Sequence, residues 1–578
     1  MSLWSDFRSW LDDFNTGRIG GPTTALPVIG VGSRFDDHLK GASGDDEIHG
    51  FGGNDLLEGL GGADLLDGGT GHDRLYGGFG DDALLGGAGD DLLDGGGGND
   101  LLDPGDGASN SAYGGLGDDT FIAGLGDDFM HGGGGVDRVD FSRLTGAVSF
   151  DMRTGVAVVQ NGPDDRAVSM EQAVGTRFGD DLAGNAQDNN LFGRDGDDVL
   201  NGREGNDYLS AGRGDDTLYG GSGDDGLRGD LGDDRMFGHS GDDLLRGEAG
   251  DDLLDGGIGH DVLEGGSGDD RLIASSGDDT LDGGADDDVL YGQSGHDDLD
   301  GGEGDDELYG GTGDDVIDGG SGHDLMHGAD GDDRFDGGSG SDTVTFSDAG
   351  GRIVVDLAAG TATGQGEDTL RNVENVVGSR NSDLLAGDDR NNRLDGGEGS
   401  GRGAPSDEDV LTGRGGDDEL IGRDGRDQLH GGSGDDLLDG GDHDDLLVGG
   451  FGRDVLLGGD GDDTLREGRF YGTVGDEAND TMSGGRGADV FVFRAALSPN
   501  RAYGSGHDKI TDFAVGRDRI DLRHHEEANP EESGVVNFVR IMDDAVQAGG
   551  HAVLVLGTST ITLENVDLSD LSVGDFVF

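Results

Sequence analysis

An aspartate returns at every ninth residue through most of this 578-residue chain, and a large aliphatic side chain follows it two positions later. The stretches GFGGNDLLE (50–58), GLGGADLLD (59–67) and GGTGHDRLY (68–76) show the pattern G-G-x-G-x-D-x-U-x, with the carboxylate at position six and the apolar residue U at position eight. Glycine permits tight turns that leave backbone carbonyls open to a ligand. Carboxylates and carbonyls together are hard oxygen donors, and calcium takes six to eight of them in an adaptable cage. The spacing therefore predicts rows of calcium ions held between stacked turns.

In the first run the predicted ligands are Asp37, Asp46, Asp55, Asp64, Asp73, Asp82, Asp91 and Asp100, followed, after a ten-residue interruption at Pro104–Tyr113, by Asp119, Asp128 and Asp137. A second run keeps register from Asp180 to Asp342 with Asn189 as its one exception. Its predicted ligands are Asp198, Asp207, Asp216, Asp225, Asp234, Asp243, Asp252, Asp261, Asp270, Asp279, Asp288, Asp297, Asp306, Asp315, Asp324, Asp333 and Asp342. A third run opens with Asp383 and Asn392, crosses an eight-residue insertion, and supplies Asp409, Asp418, Asp427, Asp436, Asp445, Asp454 and Asp463. Asp480 and Asp489 follow another insertion. Of 41 sixth positions 39 are aspartate, a regularity that a merely solvating acidic tract has no reason to keep.

One inward aliphatic per nine residues is too sparse for a helix face. It fits a short strand of about three residues and a six-residue turn, with two strands and two turns per coil. The expected fold is all-β: a parallel β-roll in three blocks, 32–140, 175–345 and 378–486, joined by β spacers at 141–174 and 346–377. The spacers resemble each other at an offset of 205, Phe150-Asp151 matching Val355-Asp356. Residues 487–578 regain β-branched and aromatic side chains and are expected to form a small β domain. In 1–31, Trp4, Phe7, Trp10, Leu11 and Phe14 mark an amphipathic helix, read as a cap over the first coil or as an anchor.

The formal charge of −87, with 32 % apolar residues other than glycine, describes a chain that repels itself unless cations neutralise it. Nucleic acid and anionic membranes are excluded as partners, and no stretch is apolar enough for a transmembrane segment. There is no cysteine, hence no disulfide or thiolate site. No H-E-x-x-H or G-x-S-x-G occurs, and His524-His525-Glu526-Glu527 has the wrong spacing for a metalloprotease helix. His72, His260, His296 and His323 at position five are expected to be solvent-facing turn residues. The chain is expected not to be an enzyme.

The nonapeptide pattern resembles the RTX family of Gram-negative bacteria, the hemolysin-type calcium-binding repeats, over roughly 32–578. That resemblance implies one ion between successive turns on each side, hence roughly 20–30 calcium ions. GADVFVF (487–493) and DKITDFAVGRDRIDL (508–522) resemble the C-terminal domain of serralysin-type secreted proteins, and Asp575-Phe576-Val577-Phe578 resembles their export signal. This implies passage through a type I (ABC) secretion apparatus, which fits the lack of a visible N-terminal signal, and an extracellular location. The spacers are similar to those of bacterial alginate epimerases. A structural, surface or adhesive protein is expected, with polysaccharide binding as the alternative and an enzyme or toxin-associated effector behind both.

Overall fold

The computed structural model describes residues 28–399, 407–468, 479–493, 507–523, 534–556 and 559–578, so the aromatic N-terminal segment and His524–Glu527 lie outside the described residues. The chain divides into two compact units, Met1–Thr280 and Leu281–Phe578.

Within each unit successive repeats go alternately to two parallel sheets, so that residues 18 apart are neighbours. In the first unit Leu57 pairs with Leu75 and Leu75 with Leu93 in one sheet, while Ile48, Leu66 and Leu84 stack in the other. In the second unit Leu420, Leu438 and Leu456 form one file and Leu429, Leu447 and Leu465 the opposite one. All of these side chains are fully buried. The core is thus one aliphatic residue thick per repeat. Each adds roughly 1.5–3 kcal/mol of burial, little against the entropy of ordering nine residues.

Most repeats differ from the expected three-residue strand. The strand covers six residues, as in Leu65–Thr70 and Leu437–Asp442, and the turn shrinks to three. The glycines at positions one and two belong to the ladder, Gly69 lying in register with Gly87. At these two positions the backbone of the neighbouring coil comes close, which favours glycine without requiring it at position two, where Leu60 and Arg203 also stand at positive φ. A Cβ on Gly78, at φ 118°, would stand 2.4 Å from the Leu60 carbonyl oxygen. The expected short strands do occur near the start of each run, at His38–Lys40, Glu47–His49, Asp181–Ala183 and Leu384–Ala386.

The interruption at Pro104–Tyr113 does not break the roll. Ser111–Leu116 pairs in parallel with Leu92–Gly97 and with Phe129–Gly134. The segment is a repeat with one extra residue, and Asn110 stands at its sixth position, accepting a hydrogen bond from Asp91 N. The spacers insert one reversed strand each. Val156–Val159 runs antiparallel between Val148–Asp151 and Asp165–Val168, and the outer two return to the parallel ladders. Val354–Asp356, Thr361–Thr363 and Glu367–Arg371 repeat this arrangement. At the C-terminal end the roll continues through Val490–Val492, Arg519–Asp521 and Phe576–Val577. An antiparallel hairpin, His551–Leu556 with Ser559–Leu563, and an eleven-residue helix, Gly534–Asp544, complete it. The helix accompanies the β elements expected at this end and was not foreseen from sequence.

Candidate metal sites

Every predicted ligand except Asp37 is buried. In a typical turn the two oxygens of the carboxylate have different fates. Asp64 Oδ1 accepts a hydrogen bond from Asp46 N at 2.7 Å, and Asp64 N donates in turn to Asp82 Oδ1 at 2.8 Å. The same step recurs along both units, as in Asp198 to Asp216 and Asp418 to Asp436. Oδ2 of Asp55, Asp64, Asp82, Asp198, Asp216, Asp409, Asp418 and Asp445 is buried and meets no donor. A buried carboxylate oxygen without a partner is costly.

What Oδ2 faces is a cradle of oxygen. A Cβ placed on Gly59 would lie 2.2 Å from Asp64 Oδ2 and 2.7 Å from the Gly77 carbonyl oxygen; on Gly202 it would lie 2.2 Å from Asp207 Oδ2 and 2.7 Å from Gly220 O. The position-one glycine therefore keeps open a space in which a carboxylate and the carbonyl of the next turn on that side converge. No cluster of three His, Cys, Asp or Glu side chains forms among the described residues, so a metal here must draw on backbone carbonyls. Oxygen-only donors on a glycine backbone fit calcium.

Electrostatics point the same way. Burial pushes Asp64 up to about 7, Asp82 and Asp198 to about 8, and Asp409 and Asp445 to about 9, with neighbouring carboxylates adding to the shift and the accepted N–H opposing it. A divalent cation in the cradle reverses that penalty.

A second ladder runs outside the first through position five, where Asp81 Oδ1 accepts from Asn99 N. The four position-five histidines join it while remaining exposed: Nδ1 of His72, His260, His296 and His323 accepts from the backbone N–H of Asp90, Asp278, Asp314 and Ser341.

Turns near the head of each run are closed. Ser33 N and Ala42 N donate to Asp37 and Asp46 Oδ2, Thr176 N to Asp180 Oδ2, Asn185 N to Asn189 Oδ1, Ser379 N to Asp383 Oδ2, and Asp388 N to Asn392 Oδ1. In these turns the backbone takes the oxygen that elsewhere faces the cradle. The ladder also recruits residues outside the nine-residue count. Asp165 and Glu171 accept from Asp128 N and Asp137 N; Asp368 and Glu374 accept from Asp333 N and Asp342 N; Asp508 and Asp518 accept from Asp480 N and Asp489 N. The four added aspartates sit two residues before a buried apolar side chain, Ala167, Leu370, Ile510 and Ile520. The shorter pattern D-x-U was the signal for them.

A parallel β-roll whose turns line up buried carboxylates with glycine carbonyls is a calcium-binding solenoid. The model of the RTX calcium-binding nonapeptide repeat matches residues 31–66, 67–102 and 104–139, overlapping copies across 174–344, and 377–400, 406–438, 439–468 and 474–492. The chain belongs to that family. Curated proteins gave no match. Among solved structures the extracellular lipase LipA from Serratia marcescens matches at 19 % identity over 55 % of this chain and 40 % of the lipase chain, with a TM-score of 0.15. The match thus spans less than half of the lipase.

Proposed function

We propose that this chain is secreted unfolded through a type I apparatus, folds outside the cell by binding roughly 20–30 calcium ions, and serves there as a non-enzymatic structural or adhesive element. The observation that carries this reading is the file of buried, unpartnered carboxylate oxygens in a chain of charge −87. Such a file opposes folding where calcium is scarce and supports it where calcium is abundant. The C-terminal residues agree. Asp575 is buried, accepts from Gly516 N at 2.6 Å and caps the turn at Ser572, while Phe576 pairs with Ile520. If this segment is the export signal, it has to be read before the protein folds. Fractionating a producing culture tests the proposal: the protein is expected in the medium or on the surface, released by chelator. Retention in the cytoplasm contradicts it.

A second reading is polysaccharide binding. Tyr76, Phe79, Tyr113 and Leu116 are exposed on one sheet, Phe79 to 80 % and Leu116 to 71 %. Tyr76 and Tyr113 flank Asp94 in adjacent strands, and aromatic faces beside a carboxylate suit sugar rings. Alginate titrated into the calcium-loaded protein should give saturable binding without chain cleavage; a flat isotherm removes this reading.

A further inference from the structure

Among the described residues, two places pair a carboxylate with a position-one carbonyl, as the calcium cradles do, yet bridge them with a protein cation. In the first unit Asp151 ends the strand Val148–Asp151 and lies in register with Ala183, so Gly184 follows beside it. Arg203 donates from Nη1 to Asp151 Oδ1 at 3.0 Å, from Nη2 to Asp151 Oδ2 at 2.9 Å, and from Nη1 to the Gly184 carbonyl oxygen at 2.5 Å. In the second unit Asp356 is in register with Ala386, and Gly387 follows. Arg414 donates to Asp356 Oδ1 and Oδ2 at 2.7 and 2.8 Å and to Gly387 O at 2.7 Å.

Neither arginine is a casual surface pair. Each occupies position two at positive φ, 82° for Arg203 and 79° for Arg414; Gly69, Gly78 and Gly87 fill that place elsewhere, and so do side chains such as Leu60, Arg194, Asp230 and Arg423, so it is the bridge rather than the backbone that distinguishes this pair. Holding a long side chain there costs backbone strain. The guanidiniums hold Asp151 and Asp356 below the usual carboxylate range, the opposite direction from the ladder aspartates. In both units the turn beginning at the bridged glycine carries asparagine at position six, Asn189 and Asn392, with the amide oxygen taken by a backbone N–H.

We propose that Arg203 and Arg414 stand in for calcium at the heads of two ion rows. Each row begins on a resident guanidinium, and calcium loads on that side only from Asp207 and Asp418 onward. A planar, always-charged fork satisfies a carboxylate and a carbonyl together, so the junction after each reversed strand is neutralised without a calcium ion of its own. The inference rests on the calcium reading above.

Native mass spectrometry of the full chain at saturating calcium tests it, with Arg203→Gly, Arg414→Gly, the double variant, and Arg246→Ala at an exposed strand pair as control. One more ion is expected in each single variant, two more in the double and none in the control. Anomalous diffraction from calcium-loaded wild-type crystals should show no ion between Asp151 and Gly184 or between Asp356 and Gly387. An ion peak at either place, or unchanged counts in the glycine variants, overturns the inference while leaving the calcium reading intact. A wild-type chain that binds no calcium overturns both.

Discussion

Replacing Asp64 with asparagine separates the two jobs of one ladder carboxylate. Asparagine keeps an oxygen for the Asp46 N–H, so the hydrogen bond survives. It removes the charge at Oδ2, the atom that faces Gly77 O across the cradle of Gly59. With free calcium about 100 times the site's Kd, the lost ion costs about 2.7 kcal/mol. As calcium falls the cost shrinks, because it follows the logarithm of one plus the ratio of free calcium to Kd. Hydrogen exchange of the amides in Leu65–Thr70, followed over a calcium series, reads the local opening free energy directly. Exchange in D64N should be about 100-fold faster than wild type at high calcium, with the gap closing as calcium is withdrawn. A gap independent of calcium would mean that Asp64 serves only its hydrogen bond, and the reasoning would fail.

Other perturbations follow from the same geometry. Gly71→Ala places a methyl at φ 140° about where the Gly53 carbonyl oxygen lies, 1.6 Å from the ideal Cβ position, whereas at Gly97 the nearest atom is 3.9 Å away; thermal unfolding in calcium should drop clearly for the first and stay within about 0.5 kcal/mol for the second. The ladder carboxylates have raised values in the folded state, up to about 9 at Asp409 and Asp445. Their contribution to the calcium-free fold is therefore fully present below the unfolded value near 4 and lost as pH rises through 6–9. In chelator, acidifying from pH 8 to 5 should increase β signal in circular dichroism, and in calcium it should raise the folding midpoint, since each site must release a proton; loss of β signal on acidification in chelator would refute this. Deleting Asp575–Phe578 should lower export from a host carrying the transporter, and unchanged export would refute the signal assignment.

The nine-residue period made the roll, its two-sheet alternation and the leucine file legible, because one apolar residue per repeat has few other ways to be buried. The carboxylate row was legible for the same reason. What the period hid is local. Asn110 fills a ladder position inside an apparent gap, since a repeat can take one extra residue in its turn without leaving register. Asp165 and Asp368 follow reversed strands that reset the count, so only the D-x-U spacing survived to mark them. Asp37 and Asp46 look like Asp55 in sequence, yet their turns close on their own backbone at the start of a run. The helix Gly534–Asp544 sits in a stretch whose β-branched residues suggested strands, and it packs against Phe576 through Phe538. Tertiary packing overrode local propensity there.

The central claim is that calcium is the counter-charge without which this chain has no fold. A calcium titration of the full chain, starting in chelator and followed by far-ultraviolet circular dichroism, tests it most directly. The account predicts conversion from coil to β as calcium is added and full reversal on renewed chelation. A chain that is already β in chelator at neutral pH, unchanged by calcium, would contradict it.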